Sequence, residues 1–110
     1  MNITEREQNG IAVFKIDGRV DSDGAVMLEQ HLLKATEDGH HKMVLEMADV
    51  RYINSAGLRI LAEVLTINRE NNGELYLVGL SNKVKRVFQI IGFDNFFKLF
   101  DDTETALNSF

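Results

Sequence analysis

MVLEMADVRYINSAGLRILAEVLTINRENNGELYLV, residues Met43 to Val78, holds the pattern that decides the fold. Met43-Val44-Leu45-Glu46-Met47 is a short apolar run of the kind found in strands covered on both faces. Asp49 to Asn54 then leads into a helix from about Ser55 to Glu70. Leu58, Leu61, Ala62 and Leu65 fall at helical spacing and form its inner face, widened by Ile60, Val64 and Ile67. Asn72-Gly73 ends the helix, and Leu75-Tyr76-Leu77-Val78 reads as a second buried strand. A strand, a helix and a strand in that order give a parallel pair joined by a right-handed crossover.

The same alternation extends both ways. Upstream, a short strand near Ile3–Arg6 and the strand Ile11–Ile16 flank Asn9-Gly10, a strong tight-turn signal. Asp21-Ser22-Asp23-Gly24 breaks the pattern, with Ser22 or Asp23 as the expected helix cap. Ala25, Leu28, Leu32 and Ala35 then mark a helix from Ala25 to Thr36, with Val26 and Leu33 beside the stripe and Gly39 as its stop. Downstream, Ser81 caps a helix through Ile91, with Val84, Val87, Phe88 and Ile91 inward and Gly92 beyond. Phe96–Phe100 reads as a last strand, and Asp101-Asp102-Thr103 as the cap of a final turn carrying Ala106, Leu107 and Phe110. The expectation is one α/β domain over residues 1–110: a mostly parallel mixed sheet of about five strands with about four helices.

Composition narrows the function. The 110 residues carry a net charge of −5, against the basic face that nucleic acid or anionic lipid requires. The chain has no cysteine, and no apolar run approaches the roughly 20 residues of a spanning helix. The first residues lack the apolar core of a signal peptide, so the cytoplasm is the expected location, without membrane insertion. Neither a Gly-x-Gly-x-x-Gly nor a Gly-x-x-x-x-Gly-Lys loop occurs. His31, His40 and His41 have no metal-ligand spacing, and Asp21-Ser22-Asp23-Gly24 lacks the later glutamate of a calcium loop. Lys83, Lys85 and Arg86 read as a solvated helix face. No cofactor, metal or catalytic centre is expected, and none of this points to an enzyme.

Tyr52-Ile53-Asn54-Ser55-Ala56-Gly57-Leu58 stands apart. It joins a strand to a helix at the end of a parallel sheet where ligands gather. Ser55 there reads as a helix cap, at a spot where free amides and the helix dipole favour an anion. Gly57 permits close approach or satisfies packing. A hydrolase nucleophile would need Gly two residues before the serine, where Ile53 stands.

Four segments resemble the anti-sigma factor antagonists, built on the STAS domain. They are Phe14–Asp21 with its Gly-x-x-Asp ending, Met43–Val50, Tyr52–Leu58, and Val84–Phe88 with Ile91-Gly92-Phe93. The resemblance implies a partner switch. The unmodified protein binds an anti-sigma factor that is a serine kinase and frees a sigma factor. The kinase phosphorylates a loop serine, matched here by Ser55, and a serine phosphatase of the metal-dependent type resets it. It also implies a partner-binding face, expected at Asp21, Ser22, Asn54, Ala56, Gly57, Leu58 and Arg59, on a protein that is monomeric or weakly dimeric. Three positions depart from the family pattern: Asn54 in place of the usual aspartate, Ala56 in place of a second hydroxyl, and Arg59 in place of a small residue. The alternative expectation is a non-phosphorylated STAS scaffold subunit of a transport or stress-signalling complex. A small-molecule sensor ranks third.

Overall fold

Asn9 and Gly10 both adopt left-handed backbone, with φ of 56° and 77°. Their two-residue turn folds strand β1 (Asn2–Gln8) antiparallel onto β2 (Ile11–Val20), with Gln8 opposite Ile11. The computed structural model describes residues 1–110. After β2 come α1 (Ser22–Glu37), β3 (Lys42–Ile53), α2 (Ser55–Glu70), β4 (Glu74–Val78), α3 (Asn82–Ile90), β5 (Lys98–Phe100) and α4 (Thr103–Leu107). The sheet runs β1-β2-β3-β4-β5, with every pair after the first parallel. Five strands and four helices in one mixed sheet match the expected architecture.

Alternating residues sort the two faces. Phe14 and Ile16 of β2, Met43, Leu45 and Met47 of β3, and Leu75 and Leu77 of β4 enter a 23-residue core with α1, α2 and α3. Ile11, Val13, Val44, Tyr76 and Val78 face the other way, onto Ala106 and Leu107 of α4. Phe110 follows α4 and packs on the Tyr76 ring, 4.3 Å between centroids. Past α4 that second face is open and carries a charged ladder: Lys15 with Asp49, Arg51 with Asp17, and Arg19 over the Tyr52 ring.

β3 is longer than the sequence pattern suggests. The segment expected to be a link, Asp49–Asn54, is strand up to Ile53. β4 ends opposite Glu46, so β3 continues from Met47 with only β2 beside it, for roughly 20 Å. Val50, Ile53 and Val20 are buried on the helix side of this extension, while Asp49 and Arg51 face solvent. The segment that leads from β3 into α2 therefore begins at the tip of a two-stranded projection.

Other boundaries move too: β2 runs on from Ile16 to Val20, and α1 starts at Ser22 rather than Ala25. Phe96 and Phe97 are not strand: their amides bond to Phe93 O in a tight turn, and β5 starts only at Lys98. Packing of the Phe88, Phe93, Phe96 and Phe97 rings against one another favours the turn. Ile91 is the C-cap of α3 and lies 46% exposed rather than inward, because the helix ends one residue before it.

Glu46 ties three elements together. It accepts from the two terminal Arg6 guanidinium nitrogens at 2.8 and 3.0 Å and from the Thr103 hydroxyl at 2.6 Å, joining β1, β3 and α4. The Arg6 bonds above all, with help from Thr103 and Lys15, hold its carboxyl below the usual range against the opposing effect of burial. A depressed folded pKa gives stability that is complete above the ordinary carboxylate value and is lost as pH falls through the folded one. Glu46→Gln is expected to cost about 1 kcal/mol at pH 7, at the upper end for a partly exposed pair with two-pronged geometry. It is also expected to flatten the acid limb of the stability curve. Urea titrations from pH 7 down to pH 3 check both.

Candidate functional site

Helices α1 and α2 start side by side because β2 and β3 end side by side. Val20 pairs with Ile53, and the Asn54 amide donates to Val20 O at 2.9 Å. Each helix is capped by the residue just after its strand. The Asp21 carboxylate accepts the Gly24 amide at 2.9 Å, and the Asn54 side-chain oxygen accepts the Gly57 amide at 2.9 Å. Both expected caps are thus corrected by one position or more: Asp21 replaces Ser22 or Asp23, and Asn54 replaces Ser55. Asn54 holds extended backbone, φ −90° and ψ 177°, which lets its short side chain reach forward to the third helical amide.

Ser55 is consequently the first residue of α2, exposed, and not engaged in capping. The first intrahelical bond runs from the Leu58 amide to Asn54 O, so the amides of Ser55 and Ala56 precede the helical ladder. The first turn of α2 holds no acid, so no carboxylate of the helix itself offsets the positive end of its dipole. Ser22 occupies the equivalent first position of α1 and is also exposed.

Below the two starts lies a groove of about 110 Å³ between the helices. Ser22, Val26 and Glu29 line it from α1, and Ala56, Arg59 and Ile60 from α2. Arg59 is exposed and takes part in none of the chain's five ion pairs. Val26, Glu29 and Ile60 were not among the expected contact residues. Val26 lies just off the inner stripe of α1, yet it is 54% exposed, and that offset is the signal that would have found it.

Asp21, Ser22, Asn54, Ser55, Ala56 and Arg59 therefore gather at one end of the molecule. Gly57 and Leu58 do not join that surface. Leu58 is 7% exposed and belongs to the core, and Gly57 is buried against β2 and β3. A Cβ on Gly57 would come within 2.7 Å of Val20 Cγ1 and 2.9 Å of Ile53 Cγ1. Packing, not partner access, requires this glycine. Gly57→Ala is expected to destabilise by about 1–2 kcal/mol, overpacking outweighing the gain in helix propensity. Thermal unfolding of the variant checks this; an unchanged or raised midpoint would contradict it.

The STAS domain pattern matches residues 2–106. "Putative anti-sigma factor antagonist BtrV" of Bordetella bronchiseptica is 34% identical over 110 residues, covering 100% of this chain and 95% of that protein. An anti-sigma factor antagonist from Mycobacterium paratuberculosis superposes with a TM-score of 0.88 at 24% identity, over 98% of this chain and 92% of that one. The phosphorylated form of the Bacillus cell fate determinant SpoIIAA superposes with a TM-score of 0.78 at 15% identity, over 97% of each chain. These two likenesses show the fold. The chain belongs to the STAS domain family, in the group of the anti-sigma factor antagonists. No helix in it is long and apolar enough to cross a membrane.

Proposed function

We propose that this protein is an anti-sigma factor antagonist switched by phosphorylation of Ser55. Unmodified, it binds an anti-sigma factor that is also a serine kinase, and so releases a sigma factor for transcription in the cytoplasm. The kinase transfers phosphate from ATP to the Ser55 hydroxyl, the complex separates, and a metal-dependent serine phosphatase restores it. The protein is the substrate in both reactions and performs neither.

One observation carries this reading: an exposed serine opens α2 beside the capped start of α1, and the cap belongs to its neighbour. A capping serine would hold its hydroxyl oxygen against a helix amide, and that bond would have to be exchanged on modification. With Asn54 as the cap, phosphate on Ser55 leaves that bond in place. The dipole of α2 and its leading amides favour the added charge of about −1.5 to −2. The switch then needs no refolding, only a bulky dianion at the centre of the contact face. SpoIIAA, which shares this fold, has a phosphorylated form, and that supports modification here. A pull-down of the anti-sigma factor with and without ATP tests the reading. Capture without ATP and release with it is expected; capture indifferent to ATP would favour a scaffold.

Arg59 lies one turn beyond Ser55, at the spacing of facing helix neighbours, with no acid of its own chain paired to it. It is placed to pair with the phosphate. A cation there stabilises the dianion and lowers the second phosphate pKa from its usual value near ~6. Arg59→Ala should therefore move the phosphoserine titration upward, read by ³¹P NMR. An unchanged titration would remove the pairing.

A further inference from the structure

α3 is one-sided in a way its packing does not explain. Val84 and Phe88 are buried and Val87 half-buried, while Lys83, Lys85, Arg86, Gln89 and Ile90 face out. None of the three cations enters an ion pair of the chain. No acid occurs from Ser81 to Phe93, so this helix reverses the sign of a chain with net charge −5. Lys83 and Lys85 also sit toward the helix start, where the dipole opposes them. Ile90 is 75% exposed and Ile91 46%. A solvated helix face accounts for lysines; it does not account for two bare isoleucines beside them.

Between α3 and β5 runs a groove of about 580 Å³. Lys85 and Gln89 line it from the helix, Phe97 from the turn before β5, and Lys98 and Leu99 from β5 itself, with Asp94 as its one acid. Lys98 turns its side chain to the α4 face of the sheet, 5.9 Å from the Tyr76 ring, and pairs with no carboxylate. β5 is three residues long and carries that lysine, features that block strand pairing with a second copy. Recognition here falls to side chains.

We propose that the α3–β5 groove docks an acidic segment of a partner protein that also carries apolar residues, as a contact surface separate from Ser55. Carboxylates of the segment meet Lys85 in the groove and Arg86 on the adjoining outer face of α3, and an apolar side chain covers Ile90 on that outer face. A nucleic acid fits less well, because its dense phosphate charge meets the field of a chain with net charge −5.

Random-peptide display on the full chain, with counter-selection on the Lys85→Glu/Arg86→Glu variant, tests the proposal. Recovered peptides should combine Asp or Glu with apolar residues. A recovered peptide titrated into ¹⁵N-labelled protein should shift amides between residues 83 and 100. The double variant should weaken that peptide at least tenfold while its melting temperature holds, since both side chains are exposed and unpaired. Ser55→Asp should leave the peptide's affinity unchanged, which separates this surface from the switch. Peptides without acids, or shifts centred on the starts of α1 and α2, would overturn the proposal. So would equal competition by a single-stranded oligonucleotide, or a concentration-dependent dimer in sedimentation that the double variant abolishes.

Discussion

Ser55→Asp is expected to weaken binding of the anti-sigma factor about a hundredfold, about 2.7 kcal/mol. The size follows from placing a charge at the middle of a contact face, where an unmatched like charge costs several kcal/mol. Misfolding is not the cause. The first turn of α2 holds no acid, whereas Asp23 and Glu104 already occupy the first turns of α1 and α4. An aspartate at the start of α2 therefore suits the dipole, and the melting temperature should hold or rise slightly. Titration calorimetry on parent and variant reads the affinity, and a thermal scan of each reads the stability. Unchanged affinity would sink the electrostatic switch, and a lowered melting temperature would make the binding result uninformative about charge.

Leu58→Ala is expected to cost about 2–4 kcal/mol of folding stability, within the range for removing a buried leucine. The family resemblance places Leu58 on the partner face; the structure buries it among the core side chains, 7% exposed. The two placements differ in what they predict. A contact residue would lose binding at nearly full stability. A core residue lowers the urea midpoint first, and its binding loss is recovered under conditions that keep the variant folded. For a domain whose net stability is commonly about 5–15 kcal/mol, the loss is large enough to measure without ambiguity.

Element order and the location of α2 were legible because they rest on local pattern. Leu58, Leu61 and Leu65 keep helical spacing, and the short apolar runs of β3 and β4 are flanked by turn residues. The far half of β3 was not legible. Asp49 and Arg51 read as a link, and only pairing with β2, distant in sequence, makes them strand. The aromatic run at Phe96-Phe97 was misleading for a similar reason: ring packing with Phe88 and Phe93 decides its backbone. Caps were legible to within a residue or two, since Asp, Asn and Ser cap comparably well and Asp21-Ser22-Asp23 and Asn54-Ser55 offer several candidates. That shift matters for function. It frees Ser55 from capping and leaves its hydroxyl exposed at the start of α2. Within the expected contact face, sequence alone does not separate outward Ala56 and Arg59 from inward Gly57 and Leu58; the side from which β2 and β3 support the helix does.

The most direct measurement is phosphopeptide mass spectrometry after incubating the full chain with its cognate kinase and ATP, alongside Ser55→Ala. Phosphate on Ser55 in the parent, and none anywhere in the variant, is the expected result. Phosphate confined to other residues, or equal incorporation into Ser55→Ala, would contradict the phosphorylation switch.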